Sequence, residues 1–136
     1  MFDPQKPTTQ MLGRWQPWHE GHTALFKKAL AQTGQVAIMV RDVHDIIGED
    51  AGGGRTVVQD DNPFDKNQVF QNIAAALHEE GYTEGEEYIV MFVPNIVDIS
   101  YGRGVGYTIT EHKLGKKIHD ISATKIRAKM REEGTL

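Results

Sequence analysis

The chain has 136 residues, of which 39% are hydrophobic and 25% charged, so it can bury a core and is not of the disordered class. A net charge of -4 argues against a general binder of nucleic acid or of anionic membranes, because such proteins are usually basic. The absence of cysteine excludes disulfides and thiolate metal sites.

No apolar stretch is long enough to cross a bilayer, and residues 1–7 lack the pattern of a signal peptide. A cytoplasmic location without a membrane partner is therefore expected. No internal repeat or linker divides the sequence, so we predict one domain over residues 1–136.

Strand-like and helix-like segments alternate in the first part of the chain. A short, partly β-branched stretch predicts a strand over residues 8–12, halted by Gly13. Apolar residues at helical spacing predict a helix over residues 21–32, stopped by Gly34. The continuous apolar run at residues 36–40 is typical of a parallel strand buried on both faces.

The middle of the chain predicts a loop followed by a helix. Residues 48–61 combine glycines with acidic residues and lack periodicity, which is typical of a mobile active-site loop. Asp65 is expected to cap a helix that Gly81 ends. The residues of this helix expected to face the core are Val69, Phe70, Ile73, Ala74 and Leu77.

The last part predicts two strands and a helix. Residues 88–93 form a second apolar run of strand length, and the alternation over residues 107–114 predicts a weaker, half-exposed strand. Ser122 is expected to cap a terminal helix that runs to Glu133 and closes at Gly134. Apolar strands alternating with helices predict an α/β fold with a mainly parallel sheet flanked by helices.

The segment after the first predicted strand, residues 13–22, reads Gly-Arg-Trp-Gln-Pro-Trp-His-Glu-Gly-His. It follows a strand at the carboxyl edge of the sheet, where α/β proteins bind ligands. His19 and His22 are three residues apart at a helix start, so their rings can face the same side. Gly21 would leave the backbone open to a phosphate, and the helix dipole adds positive potential.

The same residues are also compatible with purely structural roles. Neighbouring histidines are often solvated or buried with their hydrogen bonds satisfied, and Trp15 and Trp18 are expected to fill the core rather than to stack on a base. A zinc helix needs histidines four residues apart, so no metal site is predicted.

A second candidate motif, residues 121–127, reads Ile-Ser-Ala-Thr-Lys-Ile-Arg. Capping alone explains Ser122. It does not explain Thr124 and Arg127, whose spacing places a hydroxyl and a guanidinium on one face beside a helix N-terminus. This arrangement suits β- and γ-phosphates, and the two motifs together indicate nucleotidyl transfer.

The two segments resemble the two signatures of the HxGH nucleotidylyltransferase superfamily, in the same order and near opposite ends of the chain. The resemblance implies a single Rossmann-like domain in which an acceptor phosphate or phosphonate attacks the α-phosphorus of a nucleoside triphosphate. Pyrophosphate would be released, with Mg²⁺ carried by the nucleotide. A homo-oligomer, expected to be a dimer, is also implied.

The resemblance further implies roles for individual residues. His19 and His22 would stabilise the transition state, and Ser122, Thr124 and Arg127 would hold the β- and γ-phosphates. The nucleotide site would be lined by Gly13, Arg14, Trp15, Gln16 and Gly21.

The sequence indicates the substrates less specifically than it indicates the type of reaction. Residues 60–64 and 93–96 are similar to stretches of archaeal-type nicotinamide-mononucleotide adenylyltransferases, which use ATP, but these enzymes insert a strand and helix for which only residues 107–120 remain. The shorter layout is more similar to cytidylyltransferase-like proteins, which favours CTP. Arg41 would then bind the acceptor, unless it is an ordinary surface arginine, and Asn95 would lie near the base. A nucleotide-binding module without turnover is another alternative, and a tRNA-ligating fragment is disfavoured by the acidic balance of the chain.

Overall fold

The computed structural model describes residues 1–44, 62–103, 106–115 and 123–134. The loop predicted over residues 48–61 lies outside this part. In chain order the described elements are β1 (Thr9–Gly13), α1 (Glu20–Thr33), β2 (Val36–Arg41), α2 (Lys66–Glu79), β3 (Tyr88–Val93) and α3 (Ala123–Glu132).

The three strands form one parallel sheet with β2 in the middle. In its register Met11 pairs with Ile38, and Ile38 pairs with Val90. Because β2 is flanked on both sides and covered by helices, its side chains from Val36 to Val40 are buried, except for the half-buried Met39. The predicted α/β class, the parallel sheet and the burial of this strand are confirmed.

The predicted element ends are close to those observed. The bounds of β3 agree, β2 ends one residue later than predicted, and the bounds of β1 and α1 differ by one residue at each end. Gly34 ends α1 with a φ of 89°, and its N–H donates to the carbonyl of Leu30 at 2.7 Å. Asp65 caps α2 by accepting from the N–H of Gln68, as predicted.

The strand predicted over residues 107–114 is wrong. The described residues from 106 to 115 have no regular secondary structure. Tyr107 and Ile109 are 75% and 78% exposed. A segment with an alternating pattern forms a strand only when it pairs with a neighbouring strand and buries one face against a core. In the described structure, residues 106–115 do neither.

One hydrophobic cluster joins the sheet to the helices. α1 contributes Phe26, whose ring lies edge-on to Tyr88 of β3 with centroids 5.7 Å apart. From α2 the predicted residues Val69, Ile73 and Leu77 are buried, whereas Phe70 and Ala74 are half-buried. Among the described residues, no helix combines the length and the apolar character that a membrane crossing requires.

Gly13, the last residue of β1, lies beneath the indole of Trp15. A Cβ at Gly13 would approach Cζ2 of Trp15 to 2.8 Å and Cε2 to 2.9 Å, which is closer than real Cβ contacts. Trp15 has a φ of 54°, an uncommon conformation for a bulky residue. Its indole N–H donates to the carbonyl of Met39 at 3.0 Å and so holds the ring over Gly13.

We expect Gly13→Ala to destabilise the fold by roughly 1–3 kcal/mol, because the added methyl group overpacks the contact with the indole. The free energy of unfolding in urea measures this effect. Gly102→Ala is the matched control, since a Cβ there would meet no atom of the described structure within 4 Å. Equal stability of Gly13→Ala and the wild type would show that the ring does not lie over this position in solution.

Candidate functional site

The carboxyl ends of the three parallel strands lie at one edge of the sheet, and the candidate site occupies this edge. β1 leads through Arg14 and His19 into α1, β2 ends at Arg41, and Asn95 follows β3. Open α/β sheets bind their ligands at such edges. The topology therefore brings most of the predicted site residues to one side of the fold.

α1 begins with reciprocal hydrogen bonds between the two histidines. The backbone N–H of Gly21 donates to Nδ1 of His19, and the backbone N–H of His19 donates to Nδ1 of His22, both at 3.0 Å. This is a capping box made of imidazoles instead of the usual Ser or Thr with Glu or Gln. The two rings stack with centroids 3.6 Å apart, so the prediction that they face the same side is confirmed.

The histidine cap determines which ring nitrogen carries the proton. A nitrogen that accepts from a backbone N–H cannot also be protonated, so in each neutral ring the proton is on Nε2. Within the part of the chain that the structure describes, neither Nε2 has a hydrogen-bond partner. The cap thus leaves two N–H donors for a ligand.

Burial keeps both imidazoles neutral. The ring of His22 lies against the indoles of Trp15 and Trp18, with centroids 4.8 Å and 5.4 Å away. This desolvation, together with the smaller effect of His19, lowers the pKa of His22 to about 3. Desolvation also lowers the pKa of His19. At neutral pH the two rings are therefore uncharged donors rather than cations.

Trp15 and Trp18 support the histidines from within the core. Each is 6% exposed, and their ring centroids lie 5.0 Å apart. The indole N–H of Trp18 donates to the hydroxyl of Thr23 at 2.8 Å, and that of Trp15 to the Met39 carbonyl. The expectation that these rings fill the core is confirmed, while contact of Trp15 with a nucleotide stays a prediction.

Gly21 and Gln16 use their polar groups inside the protein. Gly21 is buried and its N–H is taken by His19, so the open backbone donor expected there is wrong. Gln16 is 4% exposed, and its side-chain amide binds both backbone groups of Phe64, at 2.8 Å and 2.9 Å. Gln16 thereby fastens the start of α2 to the end of β1.

Asn62 is a candidate site residue to which sequence reasoning gave no role. It is fully buried, and its Oδ1 accepts from Nη1 of Arg14 at 3.1 Å. The sequence signal was weak: a polar residue directly before the Pro63–Phe64 pair that leads into α2. The contact joins residues that are far apart in the sequence, so no local pattern could reveal it.

α3 returns the chain to the first motif through Arg127. This side chain is 2% exposed, and its Nη1 donates to the backbone carbonyl of Gln16. The two predicted motifs therefore meet in the fold. Ser122 and the side chain of Thr124 lie outside the described residues, so their predicted phosphate contacts stay predictions.

Arg41 and Asn95 meet at the ends of β2 and β3. Nη2 of Arg41 donates to Oδ1 of Asn95 at 2.9 Å, and burial lowers the pKa of this guanidinium. Arg41 also lines a small cavity together with Gln16, Asp42 and Lys66. The Lys66 ammonium lies 4.0 Å from the Asp42 carboxylate. The lining of the cavity thus includes two cations and one carboxylate beside apolar side chains.

No protein-family model matches the chain, and no curated protein matches it. The superfamily resemblance and the residue roles drawn from it therefore stay predictions. Over the described ranges, no group of three or more His, Asp or Glu side chains is placed to hold a metal ion.

The lowered pKa of His22 predicts a pH dependence of stability. An unfolded histidine titrates near 6.5, whereas the folded ring stays neutral down to about pH 3. Stability should be greatest above about pH 6.5 and fall as the pH drops toward 3, because only the unfolded chain gains this proton. The slope is up to about 1.4 kcal/mol per pH unit.

Urea denaturation of the wild type and His22→Gln at several pH values measures this slope. Glutamine supplies the cap's acceptor without titrating, so the variant should lose less stability on acidification. Equal slopes would contradict the burial of a neutral His22.

Proposed function

We propose that this chain is a nucleotidylyltransferase built as a single Rossmann-like domain. It transfers a nucleoside monophosphate from a nucleoside triphosphate, with CTP favoured, to a small acceptor that carries a phosphate or phosphonate. Pyrophosphate leaves, and Mg²⁺ enters with the triphosphate as part of that substrate. The observation that carries the proposal is the pair of neutral, stacked imidazoles at the start of α1.

The transfer requires hydrogen-bond donors in fixed positions and does not require a general base. A phosphate acceptor is already ionised near neutral pH, so no proton has to be removed before its oxygen attacks the α-phosphorus. As that bond forms, the bond to the bridging oxygen breaks and its electron pair leaves with pyrophosphate. The developing charge lies on phosphate oxygens, where oriented N–H groups stabilise it.

His19 and His22 supply such donors at little reorganisation cost. Their Nδ1 atoms are held by the backbone, and the Trp15 and Trp18 indoles restrict the His22 ring. The two Nε2–H groups are therefore oriented before any ligand binds. A neutral donor also repels no metal ion carried by the triphosphate.

Residues of the second motif support a triphosphate substrate. Arg127 brings a guanidinium to the loop that precedes α1, where its partner is the Gln16 carbonyl. We assign the β- and γ-phosphates to Arg127 together with Ser122 and Thr124. The acceptor's anionic group is assigned to the Arg41 guanidinium, and Lys66 lies in the lining of the same small cavity.

Two alternatives use the same site. An adenylyltransferase of the nicotinamide-mononucleotide type would take ATP, and a nucleotide-binding module would bind without turnover. The intact histidine pair favours turnover, because neutral donors oriented in advance serve a transition state. A cytoplasmic dimer is part of the proposal by analogy alone.

His22→Gln separates catalysis from helix capping. Glutamine at the third helical position keeps an acceptor for the cap but removes the imidazole donor. We expect pyrophosphate release to fall about 10²–10³-fold, the effect of removing one oriented donor, with little change in the urea midpoint at neutral pH. The assay uses each of the four nucleoside triphosphates with a panel of phosphate and phosphonate acceptors.

His78→Gln is the matched control for that assay. His78 is exposed on α2, so its loss should leave the rate unchanged. Wild-type protein that binds nucleotide but releases no pyrophosphate with any acceptor would favour the binding module. An unfolded His22→Gln variant would instead support a purely structural histidine.

Arg41→Gln tests the acceptor site. Removing the guanidinium should raise the KM for the acceptor by about tenfold or more, since a hydrogen bond to a charged group is lost. The KM for the triphosphate should change much less. Lys28→Gln, an exposed substitution on α1, controls for the loss of one positive charge. An unchanged acceptor KM would make Arg41 an ordinary surface arginine.

A further inference from the structure

Asn62 is held in a fixed position by contacts on its own segment. Two residues further on, the backbone of Phe64 is bound on both its N–H and its carbonyl by the buried amide of Gln16. Asp65 then caps α2 through a second capping box. The segment that carries Asn62 is therefore fastened to the loop that carries Arg14.

The orientation of the Asn62 amide follows from its neighbour. Arg14 has only donors, so the atom that faces its Nη1 must be the oxygen of the amide. The nitrogen of the amide, Nδ2, therefore faces away from Arg14, and Asn62 is 0% exposed. Among the described residues, this nitrogen has no hydrogen-bond partner.

A buried donor without a partner is costly, and such groups are rare in folded proteins. The donor lies beside a cationic guanidinium on the edge of the sheet that carries the histidine cap. An anionic oxygen is the group that an amide N–H and a guanidinium bind together. The unsatisfied nitrogen thus points to an anionic ligand.

We infer that Asn62 and Arg14 form one anion-binding pair for the nucleoside triphosphate. Asn62 is a positioning residue for the Arg14 guanidinium, and its own Nδ2 donates to a phosphate oxygen. This inference rests on the proposed nucleotidylyltransferase function, and it adds a ligand-binding residue outside both motifs.

Asn62→Asp tests the donor while keeping the rest of the pair. The carboxylate has the same shape and still offers an oxygen to Arg14, but it replaces the N–H donor by a negatively charged oxygen. Calorimetric titration with MgCTP and MgATP should give a dissociation constant at least about tenfold above that of the wild type. Asn67→Asp, on the exposed surface of α2, adds the same charge and should bind like the wild type.

Asn62→Leu distinguishes a ligand-binding asparagine from a structural one, because the two roles predict opposite changes of the urea midpoint. It removes the unsatisfied donor, while the half-buried Arg14 can turn to water. The urea midpoint should equal or exceed that of the wild type, although triphosphate binding weakens. A structural asparagine would instead give a lower midpoint.

The outcomes separate this inference from the proposed function. Wild-type triphosphate affinity in Asn62→Asp or Asn62→Leu overturns the anion-binding pair and leaves the transferase standing. A midpoint of Asn62→Leu below the wild type, or failure of both variants to fold, overturns it as well. If the wild type itself binds none of the four magnesium nucleoside triphosphates and releases no pyrophosphate, the proposed function fails, and the inference fails with it.

Discussion

The reciprocal hydrogen bonds between His19 and His22 serve the fold and the candidate site with the same two side chains. Their Nδ1 atoms satisfy backbone donors that a helix start would otherwise leave unpaired. Because Nδ1 is occupied, the ring proton is on Nε2. Trp15 and Trp18 then lie against His22 and exclude water, which favours the neutral ring. Helix capping, tautomer and charge state thus follow from one local arrangement.

Much of the fold could be predicted because its signals are local. The apolar runs at residues 36–40 and 88–93 have strand length, and they became neighbouring parallel strands. Gly34 and Asp65 mark helix ends through a left-handed φ and a side-chain cap. The alternation after Tyr107 predicted a strand that the structure does not contain. A two-residue period describes one face of a possible strand, but a strand also needs a neighbouring strand to pair with.

The site could be predicted only where its geometry is local as well. The three-residue spacing indicated that His19 and His22 share a side, but histidine is not a usual cap residue, so their hydrogen bonds were not foreseen. Arg14 with Asn62 joins positions 48 residues apart in the sequence, and no periodicity marks such a pair. The left-handed φ of Trp15 and the unsatisfied Asn62 nitrogen oppose stability, as is common where a fold builds a binding site.

The state of the two imidazoles is the most direct test, and long-range ¹H–¹⁵N spectra of labelled protein report it ring by ring. Between about pH 7.5 and pH 8.5, both His19 and His22 should carry their proton on Nε2 and stay uncharged, because burial lowers the pKa of each ring. If the proposed nucleotidyl transfer holds, at least one of the four magnesium nucleoside triphosphates should shift both Nε2 signals when it is added. Rings protonated at Nδ1 in this range, or Nε2 signals that none of the four triphosphates moves, would contradict a pair of neutral donors for nucleotidyl transfer.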